Sequence, residues 1–465
     1  MSVAPNGQPS AVRARSLAAR LGRYLWRTLL VALGLVALTL SVLFARPLYH
    51  HVVSFPREAA ALERLRAETR PVALDDGWTE YRAVVHAHSY LSHDSEMPFA
   101  EILAAAQTAK VDAMFMTDHC INRKADFVTQ WTGLHEGVRF IRGWELRNGL
   151  LIWGLPESAT VNCDAPLTET AARVAHEGGL SAFGHTEMPR PYEVAEVGVM
   201  EIYNIHTDFL DEKLLWLLPG LLLNTARWPD LAVREVYDRP SAILNLWDQQ
   251  NRTRKMVGFG AADAHQNLGL RLVYTAQNRL WLRQSSRKSF TDPKIELNSL
   301  GHTVLEWIFG PLTPGRELLR VDLDPYPRSL RYANTHLLAE DNSEAALLGA
   351  LREGRAFVAF DLLADTRGFV FFAAAAAAAA ADDRRATMGE ETAFTPGLRL
   401  KGEAPLPARW TVLRDGAVMA TLEGRSLDWP VPGAGNYRVE LAIRPGTEWL
   451  DWIYANPVRI TPPAP

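Results

Sequence analysis

The sequence predicts an α/β protein whose main body is a β/α barrel, preceded by one membrane-spanning helix and followed by a small β-sandwich. Three observations predict this. Short β-rich runs alternate with helical patterns between residues 81 and 260. An 18-residue stretch near the N-terminus carries no charge. The last hundred residues hold only short β-rich runs separated by turn residues.

The N-terminal element comes first. Residues 1–27 hold Arg13, Arg15, Arg20, Arg23 and Arg27 and no acidic residue. Residues 28–45 follow as the uncharged stretch, which as a helix is about 27 Å long, nearly the thickness of a hydrocarbon core. Trp26 suits the interface, and the excess of arginine before the span sets the N-terminus on the cytoplasmic side. A cleaved signal peptide is the alternative, but 43–47 (LFARP) makes a poor cleavage site. The expectation is therefore an uncleaved anchor, with the rest of the chain outside the cytoplasm (periplasmic in a Gram-negative cell). A second apolar run, 214–223, is too short to span and contains Pro219 and Gly220. It reads as a packed helix end and a turn.

Residues 46–75 read as a stalk, helical over 56–69. The barrel domain is expected over 76–365. Its β-rich runs are 81–86, 113–117, 140–145, 180–184, 199–203 and 256–260, with helical patterns at 99–110 and 168–177. Strands alternating with helices argue for parallel β/α units. The sandwich is expected over 366–465, with runs at 398–401, 410–413, 418–422, 437–443 and 452–453. Its Trp410, Trp429, Trp449 and Trp452 read as core. The nine alanines 373–381 suit either a helix or a low-complexity loop insertion.

Composition narrows the function. Apolar residues at 48% allow one large core among two or three domains. Net charge of −4 indicates no basic face for nucleic acid. Cys120 and Cys163 fit no zinc-knuckle or CxxC spacing. They read as ordinary thiols, with one disulfide as the alternative in an oxidising compartment.

The chemistry lies at the strand ends. The first run ends His86-Ala87-His88, and side chains at i and i+2 of a strand share a face, so one ion can be gripped by both. A loop with His93 and Asp94 follows. Later runs end Asp118-His119, Glu145, Gly184-His185, Glu201 to His206, and Asp263-Ala264-His265. In a β/α barrel such ends converge on one face. Imidazole suits zinc, iron or manganese, and carboxylates bridge ions, so two or three divalent ions are the natural reading. Any one of these histidines could be structural; the ordered set is what argues for a site. His50, His51, His135, His176, His302 and His336 read as structural or surface residues.

The order HAHS, TDH, GWE, GH, EIYN-x-H and ADAH resembles the PHP (polymerase and histidinol phosphatase) family, over about residues 80–267. HSYLSHDS at 88–95 and WIYANP at 452–457 resemble a branch containing a carbaryl (carbamate) hydrolase. The resemblance implies a distorted seven-stranded (β/α) barrel holding up to three metals. It implies His86, His88, His119, Glu145, His185, His206, Asp263 and His265 as ligands, with either His93 or Asp94 from the loop, Asp94 being favoured. Glu145 resembles the bridging carboxylate, and Glu145, Asp263 and His265 are the catalytic choices. Asp118 should point away from the ions and support the ligand beside it.

The sequence has no GxSxG and no P-loop, so water activated by metal is the economical chemistry. The leading expectation is a phosphoesterase using a metal-bridged hydroxide on a small phosphorylated substrate. The first rival is a carbamate, ester or amide hydrolase on the same site. The second is a membrane-anchored binding protein with a structural metal site. Arg142, Arg190 and Arg271 could support phosphate, although each reads more simply as a surface arginine.

Overall fold

The computed structural model describes residues 10–70, 72, 77–120, 124–126, 130–284, 294–375 and 384–463. It divides into two units. One comprises Met1–Pro56 with Lys213–Ala232, and the other Arg57–Glu212 with Val233–Pro465.

The larger unit is a mixed α/β structure built on one strand. Thr79–Ala87 pairs in parallel with Ala113–Met116 on one side and Val257–Ala264 on the other. Ala113–Met116 pairs in parallel with Val138–Ile141, and its continuation Asp118–His119 pairs with Gly143–Glu145. Gly143–Glu145 pairs antiparallel with Leu150–Trp153, and that strand with Leu180–Phe183. Parallel pairing then runs from Leu180–Phe183 to Val199–Asn204 and on to Val257–Ala264. The pairings thus return to the strand from which they began.

The alternation of side chains along these strands separates two cores. Ala83 and Val85 join Phe115, Ile141, Trp153 and Phe259. Val84 faces the other way and joins Met114, Met116 and Phe140. Helix Phe99–Thr108 covers the second core because Phe99, Ile102, Leu103 and Ala106 recur on one face. Burying Phe99 or Ile102 contributes roughly 1.5–3 kcal/mol each. Gly143 has no room for a side chain: a Cβ there would collide with Trp153 and with the Met116 and Ile152 carbonyls. That close approach seats the strand carrying Glu145 between its neighbours.

Other parts went unread in the sequence. A four-stranded antiparallel sheet, Gly269–Tyr274, Arg279–Gln284, Lys294–Glu296 and Glu317–Asp322, follows the Asp263 strand. Strand Asn334–Ala339 pairs antiparallel with Thr79–Ala87 and with Ala356–Ala359. Ala356–Ala359 pairs in turn with Leu450–Ala455, so the C-terminal strands are hydrogen-bonded into the same sheet. The runs 398–401 and 410–413 are parts of one long strand, Leu398–Arg414, which hairpins through Asp415-Gly416 into Ala417–Pro430. Trp410 and Trp452 are buried core residues, whereas Trp429 and Trp449 are only half-buried. Ala373–Ala375 close strand Val370–Ala375, and the remaining alanines lie outside the described residues.

His336 belongs to the core, where it bridges two carboxylates. Its Nδ1 is 2.5 Å from Glu80 and its Nε2 2.8 Å from Asp361, and Arg82 binds Asp361 at 3.0 Å. Burial opposes a charge on His336, but Asp361 and Glu80 raise it to about 9.

In the smaller unit, helix Ser10–Tyr49 contains the uncharged 28–45 stretch and is the one described helix long and apolar enough to cross a membrane. The apolar run at 214–223 is not a helix end and a turn. It forms a single helix, Leu214–Asn224, that continues through Pro219-Gly220 and packs against the first.

Candidate metal centre

The predicted ligands converge. His88, Asp94, His119 and His265 offer atoms within 4.8 Å of one another, and so do His86, Glu145, His185 and Asp263. A third group is His206, Asp263 and His265. The groups overlap. One oxygen of Glu145 lies 3.1 Å from His86, 3.4 Å from His88 and 3.4 Å from His119, and the other lies 3.2 Å from His185. Asp263 places Oδ1 at 3.1 Å from His86 and 3.2 Å from His88, and Oδ2 at 3.4 Å from His206. Both carboxylates therefore stand where a bridging ligand would.

The local backbone explains the convergence, and it is not plain strand alternation. Pairing of the first strand slips between Val85 and Ala87 on both sides, so His86 occupies a bulge. His86, His185 and Asp263 have φ of 75°, 48° and 43°, in the left-handed region. Such conformations cost roughly 1–2 kcal/mol per non-glycine residue. Here they turn strand ends inward, and His86 and His88 end with ring centroids 5.2 Å apart.

Of the two loop residues, the structure brings Asp94 into the cluster and leaves His93 out. Asp94 Oδ2 is 3.1 Å from His119 and 3.2 Å from His265. His93 is 70% exposed and in none of the groups. Asp118 points away from the cluster, as its place beside His119 suggests. It accepts hydrogen bonds from the Ser89 amide, the Ser89 hydroxyl and Gln130.

Several residues to which the sequence assigns no role support the cluster. Glu201 Oε2 is 3.0 Å from His86 Nδ1, and Glu187 is 3.1 Å from His185 Nδ1. Carboxylates in that position fix the ring and make it a better ligand. Ser92 Oγ lies 2.9 Å from His88 Nδ1 and accepts from the His119 amide. Asn267 holds His206, and Asn204 donates to Asp263 while capping helix Ile205–Asp211. Glu201 stands in the EIYN motif among the polar strand ends, but its position behind His86 has no signal in the sequence. Asn267 had no comparable signal.

The electrostatics are those of closely interleaved imidazoles and carboxylates. Burial raises Asp94, Glu145 and Asp263, yet the surrounding imidazoles hold all three below the ordinary carboxylate range. Burial lowers His86, but Asp263 and Glu145 outweigh it and push the ring up to about 10. His119 rises to about 8, with burial overcome by Asp94 and Glu145. His88 goes the other way, down to about 3, through burial and the neighbouring His265. It is the neutral imidazole that coordinates. His88 Nε2, His265 Nε2 and Asp263 Oδ1 are buried without a hydrogen bond, although buried polar atoms normally have one. Orphaned lone pairs aimed at one another fit divalent ions, and a donor set with no thiolate fits hard or borderline metals.

Each of the three arginines considered for phosphate has a partner within the protein. Arg142 lies 3.5 Å from Glu157, Arg190 donates to the Gly184 carbonyl, and Arg271 lies 3.4 Å from Glu96. Cys120 and Cys163 form a disulfide, which corrects the reading of two ordinary thiols. The pairing became visible only when the chain placed their Cα atoms 6.1 Å apart.

No protein-family model matches the chain, and no curated protein matches it. Among solved structures it is similar to a two-domain protein from Bacteroides vulgatus containing a predicted PHP-like metal-dependent phosphoesterase. The two are 11% identical, the match covers 80% of this chain and 94% of that one, and the TM-score is 0.34.

Proposed function

We propose that this protein is a membrane-anchored, metal-dependent hydrolase of the PHP type, with phosphoester hydrolysis as the leading activity. One observation carries the reading: eight of the predicted ligand residues and Asp94 meet in overlapping groups that share Asp263 and His265, with Glu145 reaching imidazoles of two groups. The closed circuit of strand pairings is read as the distorted seven-stranded barrel, and the strands of 366–465 as the sandwich domain.

His86, His88, His119, His185, His206 and His265, with Asp94, Glu145 and Asp263, would hold two or three divalent ions. Such ions supply Lewis acidity and bring the pKa of a bound water to roughly 7. The chain's own part is to hold the ligands rigidly. Glu201 and Glu187 orient two imidazoles, Ser92 anchors the His88 ring, and Asn204 steadies Asp263.

A specific observation favours the second reading, a carbamate or ester hydrolase. Arg142 and Arg271 pair with Glu157 and Glu96, which leaves these two less available to a phosphate. The anchor at 28–45 would place the larger unit outside the cytoplasm, and the disulfide suits that oxidising side.

The test is metal analysis of the purified protein, followed by turnover of an aryl phosphate, a phosphodiester and an aryl carbamate. His88→Ala and Asp263→Ala should each abolish turnover and reduce bound metal. His93→Ala should change neither. Full turnover and full metal content in Asp263→Ala would remove the hydrolase reading.

A further inference from the structure

Helix Leu214–Asn224 is apolar all round. It contains seven leucines and a tryptophan, and no charge occurs between Lys213 and Arg227. A helix of that kind is buried in protein or in lipid. Protein covers only part of this one. Pro219, Leu221 and Asn224 are buried, while Leu215, Trp216 and Leu222 are 64%, 56% and 60% exposed.

Its place in its own unit is fixed by hydrogen bonds. Asn224 Nδ2 donates to the Pro47 carbonyl at 3.2 Å, and its Oδ1 is 3.0 Å from His51 Nδ1. Trp228 Nε1 donates to the His51 carbonyl. Pro47 lies two residues beyond the uncharged 28–45 stretch. On the N-terminal helix, residues 22–42 are exposed, Leu43 and Phe44 are partly covered, and Pro47 is buried. The covered patch begins where the apolar helix packs.

We infer that helix Leu214–Asn224 is a second lipid-contacting element, packed beside the N-terminal span in the leaflet at that span's C-terminal end. The inference rests on the anchor reading above. Its exposed leucines continue the lipid-facing surface of residues 28–42. Eleven residues give about 16 Å of helix, too short to cross, and the N-terminal helix is covered only from Leu43 onward, so the second helix lies along the interface at that end of the span. Lys213 and Arg227 at its two ends suit anionic headgroups.

The test uses the full-length protein in vesicles of phosphatidylcholine and phosphatidylglycerol. A single environment-sensitive fluorophore is placed on Leu215→Cys, Leu222→Cys, Val36→Cys or Val418→Cys. All four side chains are exposed, so the label displaces no packing, and the native cysteines are joined to each other. Lipid carrying a nitroxide on its acyl chain is the quencher. Positions 215 and 222 should be quenched to within about twofold of position 36, with position 418 unaffected. Quenching at 36 with none at 215 and 222 overturns the inference and leaves the anchor standing. No quenching at any position removes both. Energy transfer between copies labelled at 215, without lipid quenching, would assign this face to a second copy of the chain and overturn the inference as well.

Discussion

Glu201 Oε2 stands 3.0 Å from Nδ1 of His86, while Nε2 of the same ring faces Glu145 and Asp263 at 3.1 Å each. The imidazole is therefore gripped from behind by a buried carboxylate and turned toward the cluster. Partners of this kind typically govern metal affinity by about 10–100-fold. Glu201→Ala should weaken ion binding by about that factor, and Glu201→Gln by less, because it keeps an acceptor but loses the charge. Competition against a chromogenic chelator measures this. Native affinity in both variants would show that Glu201 only fills space.

Ion uptake should be coupled to protons. In chelator-treated protein, His86 and His119 titrate near 10 and 8, so both carry protons at neutral pH. Coordination needs neutral rings, so binding should release protons, and apparent affinity should climb as pH rises toward 8. Calorimetry in buffers of different ionisation enthalpy reads the proton count. Stability runs the other way in the chelated protein. Because His119 is raised from 6.5 to about 8, its contribution is complete below pH 6.5 and disappears as pH rises through 8. A chelated protein equally stable at pH 6 and pH 9 would contradict this.

His336→Ala should destabilise the fold without touching the metal centre. It would leave Glu80 and Asp361 facing each other with only Arg82 to balance them. Breaking a buried pair of this kind costs about 3–5 kcal/mol. Chemical denaturation gives the loss, and metal content should stay at the native level. The native histidine is raised from 6.5 to about 9, so its stabilisation is present below pH 6.5 and lost as pH climbs through 9. A flat stability profile across that window would rule out a charged His336.

Replacing both Cys120 and Cys163 by serine opens a loop spanning 43 positions. Loop closure of that length stabilises by roughly 4 kcal/mol in the chain-entropy treatment. The unfolding midpoint should fall accordingly. Because Cys120 follows His119 directly, metal affinity should fall with it. Unchanged stability in the double variant, together with two reactive thiols in the native protein, would show that the bridge does not form in solution.

Residue order and residue chemistry fixed much of this in advance. An uncharged stretch behind five arginines identifies a candidate span, because hydrocarbon excludes charge whatever the rest of the chain does. Six polar strand ends in series identify the candidate ligand types, because parallel strands bring those ends to one side. Tertiary structure decided the rest. It brought Asp94 into the cluster and left His93 largely exposed, because side chains in a loop take their direction from tertiary contacts and not from a repeating pattern. It turned His86, His185 and Asp263 into left-handed conformations that no local pattern announces. It joined Cys120 to Cys163 and set Glu201 behind His86, because residues distant in sequence become neighbours only once the strands have paired.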